Sequence, residues 1–424
     1  MLRVLFFILI YSSSVLWIDF VSLPIFNLMG MNIYPVDLFF IFSIIFFFLI
    51  IKEKKFNVEK IKTPFIPYIL ILIWFLFQIL RNIPYYKQSA IGDGRSILYF
   101  FFFFITYYYS QKFTPETYAK FSEKILKISA LGALLLFIIE LYLGHRFSIL
   151  VDTIKEANFG YLVDPRGVRI LGSSDTFNLL IFAVYLILLT LYQGKISIGR
   201  IILLLISLIA AFVSQNRTAI ISITFGFCIY LLLNYRIKSL IKIFIFVIVI
   251  LTLVAVFLNY FFPKHFFLSI GEVMTSAFDP FNDKVGTTYW RFLAIQSALE
   301  KFAEKPILGE GFGQYWNLYI NNEVVFLPPH NEYVTILIKS GIIGLLLLFA
   351  IFYKIFKSYF IYKNVIQHNY KPLLDTMFIA LISALPYGMG FEFYPYFGLY
   401  FGIYLGIIVK NVTDLKKRTI FTGK

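Results

Sequence analysis

IILLLISLIAAFVSQNRTAIISITFGFCIYLLL (Ile201–Leu233) decides the fold class. Two apolar runs, read as helices over about 200–214 and 217–233, are separated only by a short polar knot ending in Arg217. A helix that crosses a bilayer needs about 20 apolar residues, with a lower bound near 17. Two such runs with almost no linker fit a tight hairpin of spans and fit no soluble fold. The same pattern extends outward on both sides. Further apolar helices are predicted, with ends good to about 4 residues, over 4–23, 35–51, 65–81, 95–110, 125–144, 177–193, 241–261, 331–354, 372–388 and 395–410.

The expected fold is therefore an all-α integral membrane protein of about 12 transmembrane helices, a single polytopic domain over 1–424. Composition agrees. Of 424 residues, 60% are hydrophobic and 14% charged, and 52 are Phe; soluble domains carry about 25% charged residues. The single cysteine, Cys228, lies inside the quoted run and reads as a small hydrophobe. The run Leu5 to Phe20 has no small-residue cleavage site and reads as a retained first helix, not a signal peptide. The net charge of +15 suggests nucleic acid at first sight. Its distribution excludes that partner: the lysines sit in short segments between apolar runs, where topology signals belong.

Placing the Lys52–Lys62 loop in the cytoplasm makes the inner segments roughly threefold denser in Lys and Arg than the outer ones, the bias expected of bacterial membrane insertion. Both termini are then cytoplasmic. Two outer, periplasmic segments are long: 145–176 and 262–330. The second, between predicted helices 9 and 10, contains an amphipathic stretch from Thr288 to Glu304 with Phe292, Ile295, Leu299 and Phe302 at helical spacing, ended by Pro306.

The outer arginines run against this bias: Arg81, Arg95, Arg146, Arg166, Arg169, Arg217 and Arg291. Topology needs only positive charge, and Lys supplies it. Arg adds a planar fork of donors suited to phosphate or carboxylate. Arg217 reads either as a snorkelling interfacial residue or as an anion ligand in a cleft. Arg166 and Arg169 read as anion ligands or as ion-pair partners of Asp164 or Asp175, and Arg291 as a ligand or a solvated residue of the amphipathic helix. His330, with Asn331 and Glu332 beside it at the outer mouth of a span, offers an imidazole able to take a proton near neutral pH.

Four stretches, in order, resemble the bacterial O-antigen ligase and O-antigen polymerase family. They are Arg169-Ile-Leu-Gly with Asn178; Ser214-Gln-Asn-Arg-Thr-Ala; Arg291 leading to Pro306-Ile-Leu-Gly-Glu-Gly-Phe-Gly313; and His330-Asn-Glu-Tyr followed by Gly341-Ile-Ile-Gly. The resemblance implies an inverting, metal-independent glycosyltransferase of the bacterial inner membrane, with its active site on the periplasmic side and no cofactor. Its donor would be a glycan on undecaprenyl diphosphate. Its acceptor would be a sugar hydroxyl on a lipid-linked repeat, for a polymerase, or on lipid A core, for a ligase of lipopolysaccharide biosynthesis. A chain-length regulator protein would be a further partner. By motif match, Arg217 and Arg291 would bind the diphosphate, His330 would act at the acceptor, and Arg169 and Arg166, with Asn331 and Glu332, would complete substrate binding.

The residue chemistry is consistent with that family independently. Departure of a lipid diphosphate builds negative charge on its bridging oxygen, and fixed guanidinium groups in a water-poor cleft stabilise it. The outer acids show no metal-ligand spacing, so arginines are expected where phosphoryl chemistry often employs Mg²⁺. Gly309-Glu-Gly-Phe-Gly313 lacks the strand and the Lys-Ser/Thr of a nucleotide loop and reads as a tight turn joining the outer helix to the rest of the cap. Gly341 and Gly344 are expected to permit close helix packing. Tyr99 to Phe104 is expected at a lipid-facing or core surface, and Tyr107 to Tyr109 in an inner interfacial belt. Glu392 reads as a solvated interfacial carboxylate, and Glu140 as a partner of Arg146. Two other classes remain: a flippase or transporter, which lacks support because no repeated halves are visible, and a His-dependent acyltransferase, which leaves the arginines unexplained.

Overall fold

The fold is described from a computed structural model of the chain. The described residues are mainly 26–28, 31–33, 44–49, 65–94, 102–143, 173–194, 197–214, 216–235, 287–313, 318–320, 323–325, 331–389 and 400–409. In chain order the elements are β1 (Phe26–Leu28), β2 (Met31–Ile33), α1 (Phe65–Tyr86), α2 (Gln88–Gly94), α3 (Phe102–Lys112), α4 (Pro115–Leu143), α5 (Ser173–Gln193), α6 (Ile198–Val213), α7 (Arg217–Asn234), α8 (Thr287–Glu304), β3 (Leu318–Ile320), β4 (Glu323–Val325), α9 (Glu332–Tyr362), α10 (Lys371–Tyr387) and a final apolar helix, α11 (Tyr400–Val409). Among the described residues, three helices are long and apolar enough to cross a membrane: Phe65–Tyr86, Thr176–Gln193 and Glu332–Tyr362. Shorter apolar helices are α6, α11 and Thr218–Asn234 of α7. The predicted helix 4–23 and most of 241–261 lie outside the described residues.

The membrane reading rests on inversion of the usual burial pattern. On α1 the inward face carries Tyr68, Ile71, Phe75, Gln78 and Asn82 at helical spacing, and Gln78 and Asn82 are buried polar side chains. The outward face carries Ile66, Ile73 and Leu80, which are 60%, 58% and 64% exposed. In water that face would be a large apolar patch; in lipid it is the expected surface. α9 repeats the arrangement, with Ser340 and Ser358 inside and Leu346 and Tyr353 outside.

Residue proximity groups the chain into two compact units. One comprises Met1–Leu23 and Ile125–Trp290. Within it α5 is buried along most of its length, packing against α6 and α7. Ala210 and Ala211 on α6 are fully buried, small residues of the kind that let membrane helices approach closely. α6 ends at Ser214, whose Oγ donates to the Ala210 carbonyl at 2.6 Å, and α7 begins after Asn216, whose side chain accepts from the Ala219 N–H at 3.2 Å. The near-loopless hairpin expected from the quoted sequence is therefore present, capped on both sides by its own polar knot. Cys228, on α7, is a free, exposed thiol.

The other unit comprises Pro24–Lys124 and Arg291–Lys424. Its core is aromatic. The Tyr68 ring stacks on Phe401 with centroids 4.4 Å apart, and its hydroxyl donates to the Phe100 carbonyl. Tyr118 donates to the carbonyls of Thr106 and Gly402 at 3.2 and 3.3 Å. At the far end of α9, Tyr359 donates to Asp375 on α10 at 2.9 Å, and the Tyr404 hydroxyl lies 2.9 Å from Ser358 Oγ.

Three local expectations change. Tyr107 and Tyr108, expected in an interfacial belt, are buried in this core, beside Phe100, Phe103 and Phe104, which take the core alternative of their expectation. Aromatic rings suit lipid, interface and core alike, so their density does not say which they meet. The amphipathic helix is present as α8, but its buried residues are Ala294 and Ala298, while Leu299 is 45% exposed. The chain is also not purely helical: β1 pairs with β2, and β3 with β4, as small antiparallel hairpins.

Candidate functional site

One end of the second unit is organised by a break in α9. Gly341 has φ 67° and ψ −173°, so the helix is interrupted there. Counting from Glu332, the break lies about 14 Å along the helix at 1.5 Å per residue. Non-helical backbone at that depth survives only if protein satisfies it, and here residues 306–311 do so. Glu310 N–H donates to the Ile338 carbonyl at 2.6 Å, and Gly311 N–H to the Lys339 carbonyl at 3.0 Å. Ile342 N–H donates to the Pro306 carbonyl at 2.9 Å. Trp74 Nε1 on α1 donates to the Ser340 carbonyl at 2.9 Å.

The glycines make this fit possible. A Cβ on Gly341 would lie 2.0 Å from the Ile307 carbonyl oxygen, and one on Gly311 (φ 88°) 2.3 Å from Asn82 Nδ2. Gly341 thus does not serve close helix packing; it admits a loop into the helix. Gly309-Glu-Gly-Phe-Gly313 is a turn, as expected, but its role is to dock on α9 and α1.

Polar residues of α1 and α2 hold the loop from behind. Gln78 Nε2 donates to the Leu308 carbonyl at 2.6 Å and Arg81 Nη2 to the Gly309 carbonyl at 2.7 Å. Asn82 Nδ2 donates to the carbonyls of Glu310 and Phe312, both at 2.9 Å. Asp93 on α2 accepts from the Gly313 N–H at 2.9 Å through one oxygen and pairs with Lys339 of α9 through the other. Glu310, itself buried, pairs with Lys305 at 2.7 Å. Arg81, one of the outer arginines, is thereby committed to the loop.

The N-terminus of α9 is equally well fixed. Asn331 caps it, its side-chain oxygen accepting from the N–H groups of Tyr333 and Val334 at 3.1 and 3.2 Å. Glu332 is fully buried, and its N–H donates to the Gly388 carbonyl at 2.7 Å; the Tyr333 hydroxyl donates to the Leu385 carbonyl. A carboxylate in the first turn of a helix is favoured by the dipole. Asn331 and Glu332 thus meet at one helix end, directly after His330 in sequence.

Arg291 lies in the first turns of α8, on the second unit, and Arg217 is the first residue of α7, on the first unit; for both, the backbone alone is described. His330, Arg166, Arg169, Glu392 and Arg146 lie outside the described residues. On the exposed side of α8, Glu304 hydrogen-bonds Lys301 at 2.8 Å and holds that ammonium above its usual pKa. The sequence reading missed Trp74, Gln78, Asn82, Asp93 and Lys339 as a set. The available signal was two amides four residues apart in an otherwise apolar span.

A chain whose helices bury amides and expose aliphatic side chains is a multi-pass membrane protein. Residues 202–349 match the family model Wzy_C, described as O-Antigen ligase. The matched segment runs from α6 into α9 and includes Arg217, Arg291, the docked loop, His330 and Gly341. Over those residues the chain is similar to the O-antigen ligase/polymerase family, whose membrane enzymes transfer glycans in polysaccharide biosynthesis. No curated protein matched the sequence.

Proposed function

We propose that the chain is an O-antigen or related surface-polysaccharide polymerase. It transfers a glycan en bloc from undecaprenyl diphosphate to an acceptor sugar hydroxyl on a second lipid-linked repeat. The observation that carries this reading is the family match over 202–349, which encloses Arg217, Arg291 and His330 in the family's order. Twelve spans, cytoplasmic termini and a periplasmic site belong to the same proposal. They rest on the lysine distribution and on the long outer segments.

In this reading the acceptor oxygen attacks the anomeric carbon from the face opposite the diphosphate, which inverts its configuration. His330 takes or orients the acceptor proton, a contribution of about 10²–10⁴-fold. The bond from the anomeric carbon to the diphosphate oxygen breaks, and Arg217 and Arg291 stabilise the charge that gathers on that oxygen. Arg217 at the first position of α7 suits this task, because a helix N-terminus adds positive potential to the guanidinium. Arg169 and Arg166 would extend the anionic site. Asn331 and Glu332 would act at the acceptor side, with the Asn331 oxygen already engaged in the cap.

The test uses purified full-length protein in detergent, where no transmembrane gradient exists. Lipid-linked glycan extracted from cells lacking the gene serves as substrate. A ladder of products from lipid-linked repeats alone supports the polymerase. Transfer only when lipid A core is added identifies a ligase, and no transfer with either acceptor refutes both. Arg217→Ala should lower kcat by about 10²–10³-fold, as loss of one charge-stabilising donor does elsewhere. Arg217→Lys should rescue little of it, because the fork geometry is lost.

A further inference from the structure

We propose that Asn82 and the Asp93–Lys339 pair are positioning residues for glycan transfer. Through the docked loop they fix the helix carrying Arg291 against the helix that follows His330. The inference rests on the reading above, in which those two residues serve the reaction.

The loop follows α8 directly and is hydrogen-bonded to its end. Lys305 N–H donates to the Phe302 carbonyl and Gly309 N–H to the Lys305 carbonyl, so turns joined by hydrogen bonds connect α8 to the dock. The dock in turn is paired with the broken backbone of α9 at Ile338, Lys339 and Ile342. Each helix is therefore a lever with its fulcrum at the dock. Arg291 lies about 20 Å from the end of α8, and the start of α9 about 14 Å from Gly341, at 1.5 Å per residue. A tilt of about 3° at the dock moves Arg291 by about 1 Å, and an error of that size can cost about 100-fold in rate.

Asn82 and Asp93 come from distant sequence and bind the loop, Asp93 also reaching Lys339 of α9. Apolar packing of α1 on α9 would hold the two spans together without them. A buried carboxamide and a buried ion pair are costly ways to add adhesion, since each must first be stripped of water. What they add is direction: two carbonyls must point at one Nδ2, and one N–H and one ammonium at one carboxylate.

The test uses the full chain with Cys228→Ser, reconstituted in lipid nanodiscs, with nitroxide labels at Glu300 on α8 and Leu346 on α9, both exposed. In Asn82→Leu the label-to-label distance distribution is expected to broaden. kcat should fall at least 10-fold, with a smaller change in donor KM. Asp93→Asn should behave similarly because it strands Lys339, and Asp93→Asn with Lys339→Gln should recover kcat to within about threefold. Should Asn82→Leu fail to fold, the Asp93 and Lys339 variants alone carry the test. Unchanged distances overturn the proposal, as does a broadened distribution with unchanged kcat. Separately, full activity in Arg291→Ala and His330→Ala would remove the functional reading beneath it, while the distances would still report whether the dock sets the helix geometry.

Discussion

The α6–α7 hairpin and the broken helix α9 carry the family's motifs in opposite ways. In the hairpin the hydrogen bonds at the turn are local: Ser214 reaches back to Ala210, and Asn216 reaches forward to Ala219. In α9 the interrupted hydrogen bonds are completed by residues 306–311, and that loop is braced by Asn82, 228 positions from Glu310. Local closure makes a turn that its own sequence specifies. Remote closure makes a joint that no single segment specifies, and that can therefore set the spacing of distant residues.

Substitutions should separate the two cases. Gly341→Val forces a branched side chain into the space held by the Ile307 carbonyl at a left-handed φ. It should remove more than about 4 kcal/mol and leave little monodisperse protein on size-exclusion chromatography. A folded, active Gly341→Val variant would show that the break is dispensable. Gly311→Ala should cost about 2–4 kcal/mol, from the positive φ and the contact with Asn82. Combined with Asn82→Ala, the total should fall short of additive by about 1–2 kcal/mol, read from thermal unfolding of all four proteins. Additivity would mean that the two do not share the contact. Asn216→Ala should cost only about 1 kcal/mol, the usual value of a cap, with no effect on the distance between labels on α8 and α9. Lys301→Ala, on the exposed face of α8, should change the unfolding midpoint hardly at all, by less than about 0.5 kcal/mol. If the last two exceeded the first two, the distinction between local and remote closure would fail.

The same distinction explains what could be read from the residues alone. The helices from Ser173 to Asn234 were legible because apolar length and a polar knot are properties of one stretch of chain. Pro306 marked the end of α8 for the same reason. The glycines of 309–313 were legible as a turn, but not as a plug for α9, because their partners lie in α1, α2 and α9. The contact face of α8 was not legible for another reason. In water, Phe292, Ile295, Leu299 and Phe302 would mark the interior; beside a bilayer, apolar side chains have lipid as an equal alternative, and Ala294 and Ala298 mark the contact instead. Arg217 at one helix start and Asn331 with Glu332 at another stand where the apolar pattern put the ends of spans. The bracing amides were not foreseen, since Gln and Asn in a span look alike whether they grip a loop or a ligand.

The pairing of residues 306–311 with 338–342 also limits how this region can change length. Consecutive N–H groups, those of Glu310 and Gly311, meet consecutive carbonyls, those of Ile338 and Lys339, so a slip of one residue displaces both bonds. An added or deleted residue between Pro306 and Gly311 therefore has no graded accommodation: it moves Glu310 off its carbonyl and sends the wrong side chain toward Asn82. Natural or engineered length variation between α8 and α9 should accumulate after Gly313, and the segment before it should keep its count even where its residues are exchanged.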